Sequence, residues 1–278
     1  MKKFIAEEFD PAMCSLANSY CYLRKDFAEI YEELQQQDLL REDGTAQMLW
    51  STHTKFVIKV PLPDGRFAAY KTYRRIDKPL KFALRPSPCG FEAINFQQIR
   101  ACGIPAVELL AVGDERRFFK LKNAFIATLF ADGFENGRDF IRDGVMAKES
   151  ALLEEFIVRN MQYLARLHDI KIMHRGFTPA NLLYRVRESA DNMNNLLDIK
   201  WIDVASCRRL SAWSINRNIA DDMVQFFRFF EFDGEKLLKY LQVYCNAREK
   251  SAPPPEKILK KLEKLLAERK KRKNSRHK

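Results

Sequence analysis

No uninterrupted apolar run in this sequence comes near the roughly 20 residues needed to span a bilayer, so a membrane-spanning helix is not expected. Met1 to Asp10 opens with two lysines and reaches Glu7 and Glu8 without an apolar run, so a secretory leader is not expected either. The six cysteines stand at positions 14, 21, 89, 102, 207 and 245 with no Cys-x-x-Cys pair, and the four histidines show no His-x-x-x-His spacing. This scatter argues against a structural zinc site and for reduced thiols in a cytoplasmic setting. Internal repeats are also lacking.

What is present is enough for a sizeable core: 278 residues, 46% of them hydrophobic, fit one bilobal unit or two small domains. The net charge of +11 is uneven. Glu256 to Lys278 holds 11 Lys or Arg against three Glu, a balance of +8, which leaves +3 for the other 255 residues. The basic character therefore describes a partner of the tail more than it describes the fold.

Along the chain, Phe4 to Leu40 mixes apolar and polar residues at helical spacing, broken at Pro11, and is expected to be mainly helical and to pack on the first sheet. From Met48 the pattern changes to short runs rich in aromatic and β-branched residues: Met48 to Ser51, Lys55 to Val60 and Arg66 to Tyr73. Ser51 to Thr54 and Pro63-Asp64-Gly65 separate them as turns, giving a three-strand meander. A helix is expected from about Gly90 to Ala101, stopped by Gly103 and Pro105. Two more strands, Val107 to Val112 and Phe125 to Phe130, flank a charged turn at Asp114 to Arg117, and Asp132 to Gly137 reads as a hinge. A long helix follows from about Lys148 to His168, then strands at Leu182 to Val186 and Leu197 to Asp203 around a polar insertion, Arg187 to Asn195. Met223, Phe226, Phe227 and Phe230 are spaced i, i+3, i+4 and i+7, a core-helix signal. The order predicts an α+β chain with a small β-rich lobe and a larger helical lobe. The expected parts are a helical extension (1–45), the first lobe (46–131), the second lobe (132–250) and a basic amphipathic tail (251–278).

Three pieces of this order can carry chemistry. In the third strand, Ala69 and Lys71 share a face; the small Ala leaves room for a flat base while Lys71 reaches phosphates. Taken alone, Lys71 reads equally as a surface lysine on an edge strand. In the following helix Glu92 is the only acid between Asp77 and Glu108, on the same side as Phe96 and Ile99. An inward carboxylate needs a partner, and Lys71 is the natural one; the competing reading is an exposed first-turn Glu favoured by the helix dipole. The third piece is His174-Arg175-Gly176-Phe177-Thr178-Pro179-Ala180-Asn181, followed 22 residues after the Asn by Asp203. Asn181 and Asp203 offer hard oxygen ligands suited to Mg²⁺, although a turn Asn and a strand-ending Asp are each common singly.

His-Arg-x-x-x-Pro-x-Asn followed by an Asp at a strand end resembles the catalytic loop and metal-binding segment of the protein-kinase superfamily. Within it, the chain looks most like the bacterial lipopolysaccharide core kinases, the Kdo and heptose kinase family. The similar passages are Asp64 to Arg74, Cys102 to Pro105 with Leu109 to Gly113, Tyr163 to Asn181, and Trp201 to Phe230. The resemblance implies a bilobal kinase-like fold, ATP and Mg²⁺ as cofactors, and a lipopolysaccharide core or other lipid-linked sugar as acceptor, at the cytoplasmic face of the inner membrane. It implies that Lys71 binds the α- and β-phosphates with Glu92 orienting it, and that Asn181 and Asp203 hold Mg²⁺. His174 and Arg175 would be structural parts of the loop, supported by Asp222 at the opening of the Phe-rich helix.

Two departures stand against this pattern. The turn Ser51 to Thr54 lacks glycine, so Ser51 and Thr52 hydroxyls and backbone N–H groups would have to replace a Gly-rich phosphate cover. Gly176 stands where a kinase carries its catalytic aspartate, so a pseudokinase that binds nucleotide or acts as a scaffold is the alternative. In the tail, Ile258, Leu259, Leu262, Leu265 and Leu266 form an apolar stripe among lysines, before the basic run Arg269 to Lys273. The stripe is expected to make residues 256–278 an interfacial helix on anionic membrane, with a last helix docked on the body as the alternative. The tail has no interleaved aromatics, which argues against nucleic acid.

Overall fold

The computed structural model describes residues 2–14, 19–73, 76, 79–143, 150–187 and 197–275. The chain divides into two compact units. The first comprises Met1–Gln98 with Val107–Asp132, and the second comprises Ile99–Ala106 with Gly133–Lys278.

The first unit is built on a seven-stranded sheet. In chain order its elements are β1 (Lys2–Ala6), β2 (Tyr20–Arg24), helix α1 (Ala28–Gln36), β3 (Gln47–Ser51), β4 (Lys55–Pro61), β5 (Phe67–Tyr73), helix α2 (Pro88–Ala101), β6 (Leu109–Arg117) and β7 (Lys120–Leu129). The spatial order is β1-β2-β6-β7-β5-β4-β3. The meander expected from the sequence is present as β3, β4 and β5, and α2 covers the expected helix. The final residues of α2, from Ile99, cluster with the second unit.

The first 40 residues differ from expectation. They hold two strands and one helix rather than a mainly helical extension. Tyr20-Cys21-Tyr22-Leu23 is an apolar run buried on both faces, a pattern that carries no two-residue alternation and so mimics a buried helical segment. α1 packs on the sheet as expected: Tyr31 stacks on Phe125 at 5.6 Å, and Phe125 on Tyr70 of β5 at 5.4 Å. The charged turn expected at Asp114 to Arg117 is instead the end of β6, and the hairpin turns at Phe118 and Phe119, both at positive φ.

The second unit is mainly helical. Its elements are β8 (Glu135–Asn136), α3 (Gly137–Asp143), α4 (Ser150–Asp169), β9 (Ile172–Met173), β10 (Leu182–Val186), β11 (Leu197–Trp201), β12 (Arg208–Arg209), α5 (Ala212–Phe227), α6 (Gly234–Ala247) and α7 (Pro255–Ser275). Nearly all of the expected polar insertion, and the expected first turn of α4 before Ser150, lie outside the described residues. The phenylalanine signal marks the core: Phe226 is fully buried and stacks on Phe177 at 5.2 Å and on Phe156 at 6.1 Å. α5 begins ten residues before Asp222, capped by Ser211, whose hydroxyl accepts from the Ser214 N–H at 3.2 Å. Asp222 therefore lies inside the helix and does not open it. α7 packs against α5 and α6 with Ile258 and Leu262 buried. Leu259, Leu265 and Leu266 of the stripe are half-buried, so the helix is docked through Ile258 and Leu262. No helix among the described residues is long and apolar enough to cross a membrane.

Candidate active site

In the first unit, strand geometry separates β5 into two faces. Ala68 and Tyr70 enter the core beneath α1. Ala69 and Lys71 point to the other face, where Lys71 meets α2. The Lys71 ammonium donates to Glu92 Oε2 at 2.9 Å, with side-chain exposures of 13% and 5%. Glu92 faces inward with Phe96, so the first-turn, exposed alternative does not hold. A pair this sheltered fixes the lysine's position, because either charge left alone would be buried at considerable cost.

The turn after β3 is organised around Thr52. Its hydroxyl oxygen accepts from the N–H groups of Thr54 at 3.3 Å and Lys55 at 3.2 Å. Ser51 donates its hydroxyl to Glu42 Oε1 at 3.3 Å. These groups, expected to substitute for a glycine-rich phosphate cover, are engaged in holding the turn and its neighbour.

In the second unit the loop between β9 and β10 is held from beneath by one carboxylate. Asp222 accepts the backbone N–H of His174 at 2.7 Å through Oδ2 and that of Arg175 at 2.6 Å through Oδ1. Oδ2 also receives His168 Nε2 at 3.2 Å, and His168 Nδ1 lies 2.7 Å from the Tyr244 hydroxyl. Burial alone would raise the Asp222 pKa, but hydrogen bonding and charge from His168, with the His174 contacts, hold it below the ordinary value. His168 and Tyr244 were not singled out from the sequence; a polar residue on the buried side of α4 was the available signal. His174 is fully buried, and burial lowers its pKa below the ordinary histidine value even though Asp222 acts the other way. The neutral ring accepts the Gly176 N–H at Nδ1, 3.3 Å away, and packs on Trp201 at 5.3 Å. The expected structural role of His174 fits this geometry.

Asn181 and Asp203 are tied into one local frame. The Asn181 carbonyl accepts the Ile202 N–H at 3.0 Å, one residue before Asp203. Asn181 directs its amide Nδ2 to the Gly176 carbonyl at 2.9 Å, which leaves its side-chain oxygen for another partner. Asp203 follows β11 with φ of 51°, and Arg175 has φ of 59°. Left-handed backbone at residues other than glycine concentrates at functional sites, where surrounding structure holds it in place. One amide oxygen and one carboxylate form a hard donor set of the kind that binds Mg²⁺ together with substrate phosphates. Among the described residues there is no group of three or more His, Cys, Asp or Glu able to hold a metal without such help.

Gly176 is enclosed by a residue the sequence reading did not mark. A Cβ placed at Gly176 would lie 2.8 Å from Ser206 Oγ, a contact real Cβ atoms essentially never make. Ser206 is not free to swing away at no cost, since its hydroxyl donates to the His174 carbonyl at 2.8 Å.

No family model matches this sequence, and no curated protein matches it. Among solved structures, "WaaP in complex with acyl carrier protein" is similar at a TM-score of 0.64, covering 91% of this chain and 98% of that one at 15% sequence identity. The chain has a protein-kinase-like fold. With so low an identity the likeness concerns the backbone, and the chemistry must be argued from the side chains above.

Proposed function

We propose that this protein is a phosphotransferase of the protein-kinase type, using ATP with Mg²⁺ and acting on a sugar hydroxyl of the lipopolysaccharide core. The observation that carries the reading is the sheltered Lys71–Glu92 pair, a lysine held on a strand by a helix carboxylate. Phosphoryl transfer needs the nucleotide held, its charge neutralised and the acceptor aligned, with little covalent help from the protein. Lys71 supplies the cation for the α- and β-phosphates, and Ala69 leaves space for the base. Asn181 and Asp203 hold Mg²⁺, which when bound offsets phosphate charge. His174, Arg175 and Asp222 keep the loop in shape. The acceptor class is supported by the sequence resemblance, and the likeness to WaaP supports the fold that the resemblance implies. The location that follows is the cytoplasmic face of a bacterial inner membrane.

A second reading, a pseudokinase, is favoured by Gly176 and by Ser206 Oγ lying 2.8 Å from where a side chain would begin. A base at that position typically contributes about 10²–10⁴-fold. ADP release with core lipopolysaccharide acceptors, run beside a thermal-shift titration with ATP and with or without Mg²⁺, tests both. Turnover that Lys71→Ala abolishes supports the kinase. An ATP-dependent shift with no turnover on any acceptor supports the pseudokinase, and the lack of any shift counts against both.

A further inference from the structure

Arg117 pairs with Lys120 across the β6–β7 hairpin, so the chain reverses in two residues, Phe118 and Phe119. Their φ angles are 49° and 63°. Two-residue turns with both φ values positive favour Asn-Gly, because those residues enter the left-handed region easily. A bulky ring at such a position is a steric outlier. Burial gives nothing back: Phe118 is 79% exposed and Phe119 60%. The needs of the hairpin therefore do not account for the pair.

A second apolar pair is anchored beside it. Leu80 and Leu84, in and just after the turn Pro79–Phe82, are 63% and 77% exposed. Arg116, at the end of β6, binds this segment: its guanidinium donates to the carbonyls of Phe82 and Arg85 and reaches Asp114 Oδ2 at 2.9 Å, its side chain only 2% exposed. The same two segments carry Lys81, Arg85, Arg117, Lys120 and Lys122, all exposed, with the Arg117 guanidinium 5.5 Å from the Phe118 ring. The one exposed carboxylate described in these two segments is Glu115, which accepts from Asn123 at 2.8 Å.

We propose that the Phe118–Phe119 tip, with Leu80 and Leu84, inserts into the surface of an anionic lipid bilayer. Phe and Leu side chains bury at the boundary between headgroups and acyl chains, and neighbouring lysines and arginines are drawn to anionic headgroups. The excess of cations around an apolar tip matches that surface in both respects. The tail offers less apolar surface, because Ile258 and Leu262 are buried and Leu259, Leu265 and Leu266 half-buried. The inference rests on the membrane location given above and is independent of nucleotide chemistry.

Vesicle co-sedimentation of the full chain tests it, with phosphatidylglycerol against phosphatidylcholine vesicles. Two variants are compared with the wild type: Phe118→Asn with Phe119→Gly, which installs the favoured turn, and Lys260→Glu with Lys264→Glu, which lowers the tail's charge balance from +8 to +4. The turn variant is expected to bind phosphatidylglycerol at least tenfold more weakly while melting at or above the wild-type temperature, so loss of folding cannot explain the loss of binding. A Phe118→Trp reporter is expected to shift its emission to the blue on those vesicles. Wild-type binding by the turn variant, no affinity of the wild type for phosphatidylglycerol vesicles, or loss confined to the tail variant would each overturn the proposal. Because no arm contains nucleotide, failure here leaves the phosphotransferase reading to its own test.

Discussion

At the residue scale, four positions decide what can be changed: Lys71, Gly176, His174 and Asp222. Lys71→Ala leaves the Glu92 carboxylate buried without its cation, and breaking such a pair costs about 3–5 kcal/mol. Lys71 keeps slight solvent access, so the lower end, about 3 kcal/mol, is expected in urea unfolding. Lys71→Met with Glu92→Leu should be less damaging than Lys71→Ala alone; a double variant that is weaker than the single would contradict this account of the pair. Gly176→Asp meets Ser206 Oγ. Turning that hydroxyl aside breaks its bond to the His174 carbonyl, a loss of about 1 kcal/mol. Gly176→Asp alone is therefore expected to lower the melting temperature without raising turnover, and Ser206→Ala beside it to release the clash. A single variant as stable as the parent would remove Ser206 from the argument. For His174, the folded pKa lies below the ordinary 6.5. Unfolding then takes up a proton, so the stability is present above pH 6.5 and falls as pH drops through 6.5 toward the folded value. Asp222 acts lower: its folded pKa lies below 3.8, so its contribution is present above 3.8 and is lost as pH falls through the folded value. His174→Asn keeps an acceptor near Nδ1 and should flatten the dependence of urea-derived stability between pH 7 and 5; an unchanged slope would count against the buried neutral ring.

At the element scale, the core of the second unit follows the apolar period of its helices, and the last helix is part of it. Leu262 is fully buried where α7 lies on α5 and α6. Leu262→Ala is expected to cost about 2–5 kcal/mol, the range for a large-to-small change in a packed core. A cost below 1 kcal/mol by urea denaturation would mean that the helix does not dock in solution. β2 teaches a different lesson. Its run of buried aromatic, cysteine and leucine residues has no alternation to announce a strand, because both faces are covered. The β6–β7 turn was invisible for the opposite reason: Phe-Phe is not a turn signature, so a charged run nearby drew the turn three residues too early.

At the scale of the whole molecule, ligand binding becomes a stability measurement. A nucleotide at 100 times its Kd stabilises the fold by about 2.7 kcal/mol. ATP with Mg²⁺ should raise the unfolding temperature of the wild type, and Asp203→Asn should weaken the Mg²⁺-dependent part while leaving the apo protein folded. An equal shift in that variant would remove Asp203 from the metal site. Much of this architecture was legible in the chain. The meander and α2 each rest on short-range patterns, period two in the strands and period 3.6 in the helix.

The sequence by itself determined which residue types stand in which order: a lysine on a strand, one acid on the next helix, an Asn before one strand and an Asp after the next, and a glycine following His174-Arg175. These are local facts, set by strand alternation, helix period and turn chemistry. Only the tertiary structure decided that Glu92 faces Lys71, that Asp222 holds the loop from within a helix, that Ser206 borders Gly176, and that Ile258 and Leu262 of the tail are covered while a pair of phenylalanines is not. Those outcomes depend on which surfaces meet across long stretches of chain, and burial and hydrogen-bond partners exist only once the chain has folded.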